Sequence, residues 1–153
     1  MTGWRIGYGL APPSVVNGIL KLQSHMTSNP TSIAQRAAVE ALRGPQDSVT
    51  VMLAEYRRRR DYVIERLRRM PGTTIVEPQG AFYAYPNLGG VIGRNGIANS
   101  MQFAEKLLEE SHVAVVPGEA FGTDRHVRIS YATSMRDLER GLDRIEAFVK
   151  ARQ

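Results

Sequence analysis

Two arginines in apolar surroundings are where this chain could do chemistry. Arg5 lies in Thr2-Gly3-Trp4-Arg5-Ile6-Gly7, and Arg128 in His126-Val127-Arg128-Ile129-Ser130-Tyr131-Ala132. A charge in an apolar strand is costly unless an anion meets it. A planar guanidinium with parallel donors suits a carboxylate or a phosphate. Strand alternation puts Val127, Ile129 and Tyr131 on one side, and Arg128 and Ser130 on the other. Spacing alone favours a plainer use for either arginine, an internal salt bridge or a charge on a sheet edge.

Other chemistries are poorly supplied. The 153 residues contain no cysteine, which removes disulfides, thiolate nucleophiles and cysteine metal sites, and suits a cytoplasmic location. No apolar run is long enough to span a membrane, and no secretion signal is visible. The net charge of +5 and a pI near 9.9 allow an anionic partner. The densest basic run is Arg57-Arg58-Arg59-Arg60, followed by Arg66, Arg68 and Arg69. It reads either as a nucleic-acid patch or as a solvated helix face. Interleaved Glu55, Asp61 and Glu65, and the lack of aromatic stacking residues, favour the helix face.

The elements that must position the arginines follow from pattern. A strand is expected over residues 4–11, ended by Ala11-Pro12-Pro13. A short amphipathic helix carries Val15, Val16, Ile19, Leu20 and Leu22, with Pro13 in its first turn. The polar loop Thr27–Ser32 launches a second helix, with Ile33, Ala37, Ala38, Ala41 and Leu42 on one stripe and Gly44-Pro45 as its stop. A long helix over 47–70 ends at Pro71-Gly72 and is long enough to bridge two domains. Strands are expected at Thr74–Val76, Gln79–Pro86, Val113–Val116 and His126–Ala132, with a glycine-rich loop from Asn87 to Asn99. Ser100 is expected to cap one helix and Ser134 another, the latter with Asp137 at the capping-box position and Leu138, Leu142, Ile145 and Val149 as its core stripe. The order of elements argues for an α/β fold with a mixed sheet covered by helices. The first 45 residues fit that unit poorly and would pack better against further structure.

A family resemblance then joins these pieces. Thr2-Gly3-Trp4-Arg5-Ile6-Gly7 resembles the stretch after the cofactor lysine of class I/II aminotransferases, pyridoxal-phosphate (PLP) enzymes of the aspartate aminotransferase family. Thr27–Gln35 resembles their subunit-interface segment. Pro78-Gln79-Gly80-Ala81-Phe82-Tyr83, Val115–Gly122 and Val127–Ala132 resemble three further blocks in the family order. The resemblance implies the C-terminal part of the fold-type I PLP-dependent transferase fold. Residues 1–45 would trail the large PLP-binding domain, and residues 46–153 would form the small α/β domain with its linking helix.

It also implies roles. Arg5 would contact the cofactor phosphate, and Arg128 would grip the substrate α-carboxylate at the other end of a shared pocket. Asn29 would lie near the active site across a dimer interface. Phe82 would line the substrate pocket, although a core aromatic is an equal reading. The Schiff-base lysine of the family would precede Met1, so no catalytic residue is assigned. Lys21, Lys106 and Lys150 match no such position and read as surface lysines. The implied activity is transfer of an amino group from an L-amino acid to a 2-oxo acid, by a cytoplasmic homodimer, with this chain alone inactive. The alternative is a non-enzymatic basic module that binds nucleic acid or docks on a partner.

Overall fold

Prolines and glycines mark the helix ends. Helix α1 (Pro13–Met26) begins with proline, whose missing N–H has no partner to lose there. Helix α2 (Ser32–Arg43) stops at Gly44, and α3 (Asp47–Arg69) stops before Gly72, which sits at φ 69°. Asp47 opens α3 and Arg66, Arg68 and Arg69 close it, each sign matching the helix dipole. Helices α4 (Ser100–Ser111) and α5 (Met135–Lys150) complete the set. The computed structural model describes residues 1–153, which fall into two compact units, Met1–Ser48 and Val49–Gln153.

The first unit has almost no core. Ala34 is its one buried residue. Ala37 and Ala38 are half-buried, so the small residues of α2 do pack closely, but Ile33 and Leu42 of the expected stripe are 68% and 62% exposed. Leu10, Ile19, Leu20 and Leu22 are exposed as well. The strand expected over residues 4–11 does not form. A 3₁₀ turn spans Thr2–Trp4, Arg5 caps it at φ 51°, and no ladder follows. A strand needs a neighbour for its N–H and C=O groups, and no other segment of this unit runs extended beside it.

The second unit is a three-stranded sheet packed on helices. Strand β1 (Tyr83–Ala84), strand β2 (Val116–Pro117) and strand β3 (Val127–Ser130) lie in the order β1-β3-β2. Both pairings are antiparallel, so the expected mixed sheet is corrected. A parallel pair needs a long crossover; β2 and β3 are instead joined by a short turn, and β1 takes the opposite edge of β3. Register pairs Tyr83 with Ser130 and Ala84 with Ile129. Ala84, Val127 and Ile129 face the core with Leu67 of α3, Phe103 and Leu107 of α4, and Leu138, Leu142, Ile145 and Val149 of α5. Phe103 meets Phe148 edge-to-face at 5.3 Å.

Several local expectations change. The strand at Thr74–Val76 is one bridge, Thr74 to Asn87, with Val76 89% exposed. Gln79–Pro86 is regular only at Tyr83–Ala84, and Val113–Val116 only at its last residue. The loop from Asn87 to Asn99 is not merely polar surface: Leu88, Val91, Ile92 and Ile97 are core residues. Asn99, not Ser100, caps α4, its side chain accepting from the Gln102 N–H at 2.9 Å. Ser134 caps α5 as expected, accepting from Asp137 N–H at 3.1 Å. Lys106 is half-buried rather than fully on the surface. The apolar start of α3 is exposed at Val49, Met52 and Leu53, so burial of that helix begins only further along.

Most of the basic run is paired within the chain. Glu55 binds Arg58 at 2.9 Å and Arg59 at 2.8 Å, and Asp61 binds Arg60 at 2.7 Å. Hydrogen bonds from Arg58 and Arg59 hold the Glu55 carboxyl down at about 2. Arg66 ties α3 to α5 through Asp143 at 2.7 Å and Glu146 at 3.0 Å. Lys150, then Arg66, hold the Glu146 carboxyl below its ordinary value of 4.5. A carboxylate with a depressed folded pKa stabilises above its unfolded pKa and loses that effect as pH falls through the folded value. The melting temperature should therefore drop as pH falls below about 4.5, and Glu146→Gln should flatten part of that drop. Melting curves of both proteins across this range check it; identical slopes would exclude the tie as a contributor.

Candidate functional site

The solvent-side face of the sheet carries the unusual arginine. Tyr83 and Ser130 are paired in register, so they share a face, and alternation puts Arg128 on it too. Val116 is paired with Arg128 from the other edge. Continuing the β1–β3 register sets Tyr85 opposite Arg128, in line with the observed bridge between Asn87 and His126. The expected alternation is seen: Val127, Ile129 and Tyr131 are buried, Arg128 is half-buried and Ser130 is exposed.

Arg128 meets rings, not carboxylates. Its guanidinium carbon lies 4.3 Å from the Tyr83 ring centre and 4.7 Å from that of Phe121. Such contacts are attractive because the ring face is electron-rich. Arg128 forms none of the ion pairs of the chain and donates none of its side-chain hydrogen bonds, although Arg58, Arg59, Arg60, Arg66, Arg68, Arg69, Arg140 and Arg152 all pair with acids. A half-buried guanidinium with five unused donors has the hydrogen-bonding capacity an anion would use. The internal salt bridge that spacing alone favoured is absent here.

A pinned turn supplies Phe121. It closes the 3₁₀ turn Gly118–Phe121, and Gly122 follows at φ 82°. Asp124 accepts from the Ser100 N–H at 3.0 Å and from the Ser100 hydroxyl at 2.9 Å, while Ser100 accepts from the Glu119 N–H at 3.1 Å. Tyr85 meets Phe121 edge-on at 5.8 Å and stacks on His126 at 4.9 Å. Its hydroxyl contacts Thr123 Oγ1 at 2.7 Å. Sequence assigned no site role to Tyr83, Phe121 or Asp124, and gave Ser100 only the role of a helix cap. The alternation of Phe82 and Tyr83 held the one available signal, since it puts Tyr83 off the core face.

The other candidates lie as follows. Phe82 packs on the core and stacks with Tyr56 at 6.2 Å, and its carbonyl accepts from Tyr131 N–H at 2.9 Å. Burial pushes the Tyr131 phenol up, and its hydroxyl donates to the Ala81 carbonyl at 3.1 Å. In the first unit, Arg5 is exposed and makes no ion pair; its one side-chain hydrogen bond is to the Thr2 carbonyl at 3.4 Å. Asn29 is exposed in the loop between α1 and α2. Lys150 is engaged by Glu146 at 2.6 Å, and Lys21 is exposed on α1.

Comparison with known proteins places the chain in a family. The family described as aminotransferase class I and II matches residues 1–145. The aspartate aminotransferase of Geobacillus stearothermophilus is 46% identical over 152 residues, 99% of this chain and 39% of that protein. The aspartate/prephenate aminotransferase of Cereibacter sphaeroides is 46% identical, over 97% of this chain and 38% of that protein. The crystal structure of the aspartate aminotransferase from Rhizobium meliloti superposes with a TM-score of 0.87 at 43% identity, over 98% of this chain and 39% of that one. The chain thus spans a little under two-fifths of the length of the relatives it matches. An α/β chain with an unpaired arginine on its sheet, matched along nearly all its length, belongs to the class I and II aminotransferases.

Proposed function

We propose that this chain supplies the substrate-carboxylate site of a PLP-dependent aminotransferase that moves an amino group from an L-amino acid to a 2-oxo acid. The observation that carries the reading is Arg128: half-buried, flanked by two rings, and without an acid partner in the chain. Two parallel N–H···O bonds from its guanidinium would fix the plane of the substrate carboxylate, and with it the direction of the Cα–H bond. Every amino acid and every 2-oxo acid carries that carboxylate, so one arginine serves both halves of the exchange.

The residues present fit part of the coenzyme. When bound, PLP supplies an electron sink for the substrate Cα. Its phosphate needs an unpaired cation, and Arg5 is one, exposed and free of acids. Its aldehyde needs an amine held for covalent work. The three lysines are one in an ion pair, one exposed and one half-buried on α4, and none has a motif that marks it for that work. Residues 1–45 belong in this reading to the large domain, and 46–153 to the small one. Asn29 sits near a dimer interface, Phe82 borders the substrate pocket from its core position, and the working unit is a cytoplasmic homodimer.

The 153-residue chain alone is expected to show no transaminase turnover. A reconstituted enzyme, made by fusing the leading part of the Geobacillus relative ahead of Met1, is expected to take up PLP with a visible absorption band and to transfer amino groups. Turnover by the purified 153-residue chain would contradict the first expectation. A fusion that binds PLP yet moves no amino group from any amino acid would contradict the second.

A further inference from the structure

An arginine side chain has four rotors, and holding it for a ligand costs entropy. Arg128 has contacts that meet this cost before any ligand arrives. Its guanidinium lies over the rings of Tyr83, at the start of β1, and Phe121, on the turn between β2 and β3. Phe121 is an odd ring to find here, because it is large, apolar and 46% exposed. Its turn is nevertheless tightly held. Asp124 and Ser100 tie it to the start of α4, Gly118 N–H donates to the His126 carbonyl at 2.9 Å, and Tyr85 braces the ring edge-on. A pinned turn that keeps an apolar ring in water is explained if the ring has a task.

We infer that Tyr83 and Phe121 are positioning residues, a two-ring clamp that holds the Arg128 guanidinium in one orientation and leaves its N–H groups free for a carboxylate. The inference rests on the reading of Arg128 as a carboxylate site, and adds to it the two residues that preset the arginine. The rings act on faces, where they compete with no hydrogen bond; an acid in their place would occupy the donors the substrate needs.

The test uses the ¹⁵N-labelled 153-residue chain, with the Arg128 Nε–H signal assigned by its disappearance in Arg128→Gln, and succinate as the probe. Two aromatic faces should displace that signal from the range of the other arginines, and succinate should shift it on titration. Phe121→Leu is expected to return the signal toward the common range and weaken succinate about five- to tenfold. Phe121→Tyr should restore both. The backbone amides of Val127 and Ile129 should stay in place, which separates loss of the clamp from loss of the strand. Tyr83→Leu gives a second, independent variant. Unchanged Arg128 signal and succinate affinity in both leucine variants would overturn the clamp. If the wild-type chain ignores succinate while Phe121→Leu still releases the displaced signal, the clamp stands and the carboxylate reading fails.

Discussion

Exchanging Arg128 for lysine in the reconstituted enzyme lowers kcat/KM for amino-acid substrates by about 10²-fold, and exchange for alanine by about 10³-fold. The reasoning is geometric. A charge-assisted, two-bond contact is stronger than a neutral hydrogen bond, and removing one partner strands the other in a poorly hydrated site. Lysine keeps the charge as a point and loses the second bond, so it retains attraction without fixing the carboxylate plane. The loss should therefore appear in kcat as well as KM, because a substrate that rocks about its carboxylate presents the Cα–H bond less often. The visible band of bound PLP should be unchanged, since the proposed phosphate contact is Arg5. Steady-state kinetics with an amino acid and with its 2-oxo acid should show the same penalty in both directions. A kcat/KM within twofold of the parent for Arg128→Ala would remove Arg128 from the site.

Gly118→Ala is expected to destabilise the second unit by roughly 2–4 kcal/mol. A Cβ at this position would sit 2.3 Å from the Thr123 carbonyl oxygen and 2.5 Å from that of His126. Both are backbone atoms, so no side chain can swing aside. These carbonyls lie where the turn closes on itself, with Gly118 N–H donating to His126 O at 2.9 Å and Thr123 N–H to Gly118 O at 3.1 Å. The methyl group must open those bonds and carry Phe121 away from Arg128. Gly141→Ala is the control, because a Cβ there meets nothing within 4 Å. That site is inside α5, where alanine is expected to stabilise by about 0.5–1 kcal/mol. Denaturant midpoints of the two variants should move in opposite directions. Equal stability of Gly118→Ala and the parent would mean that the turn yields readily to a methyl group.

Helix positions were readable from the sequence because helices are local. Pro13, Gly44-Pro45, Pro71-Gly72 and Ser134 act on the backbone within a turn or two, and the 3.6-residue stripe of α5 needs one apolar side to be seen. Alternation in β3 was equally local, and it set Arg128 apart from Val127 and Ile129 before any fold was known. Family membership was also legible, since five short blocks in order are a property of the chain itself.

What stayed hidden was everything that depends on a distant neighbour. The stretch over residues 4–11 has strand-like composition and forms no strand, because nothing in its unit pairs with it. Val91, Ile92 and Ile97 sit among glycines and polar residues, yet α4 and α5 bring enough apolar surface to bury them. Arg128 was marked by its type, but its partners were not. Tyr83 reaches it through strand register, 45 positions away in sequence, and Phe121 through a turn whose Asp124 is held by Ser100 at the start of α4. Backbone preference is set within a few residues, so sequence alone settled the helices and the candidate arginine. Ring contacts and buried loops depend on which segments meet, so only the tertiary structure could show that this guanidinium lies over two aromatic rings and has no acid partner.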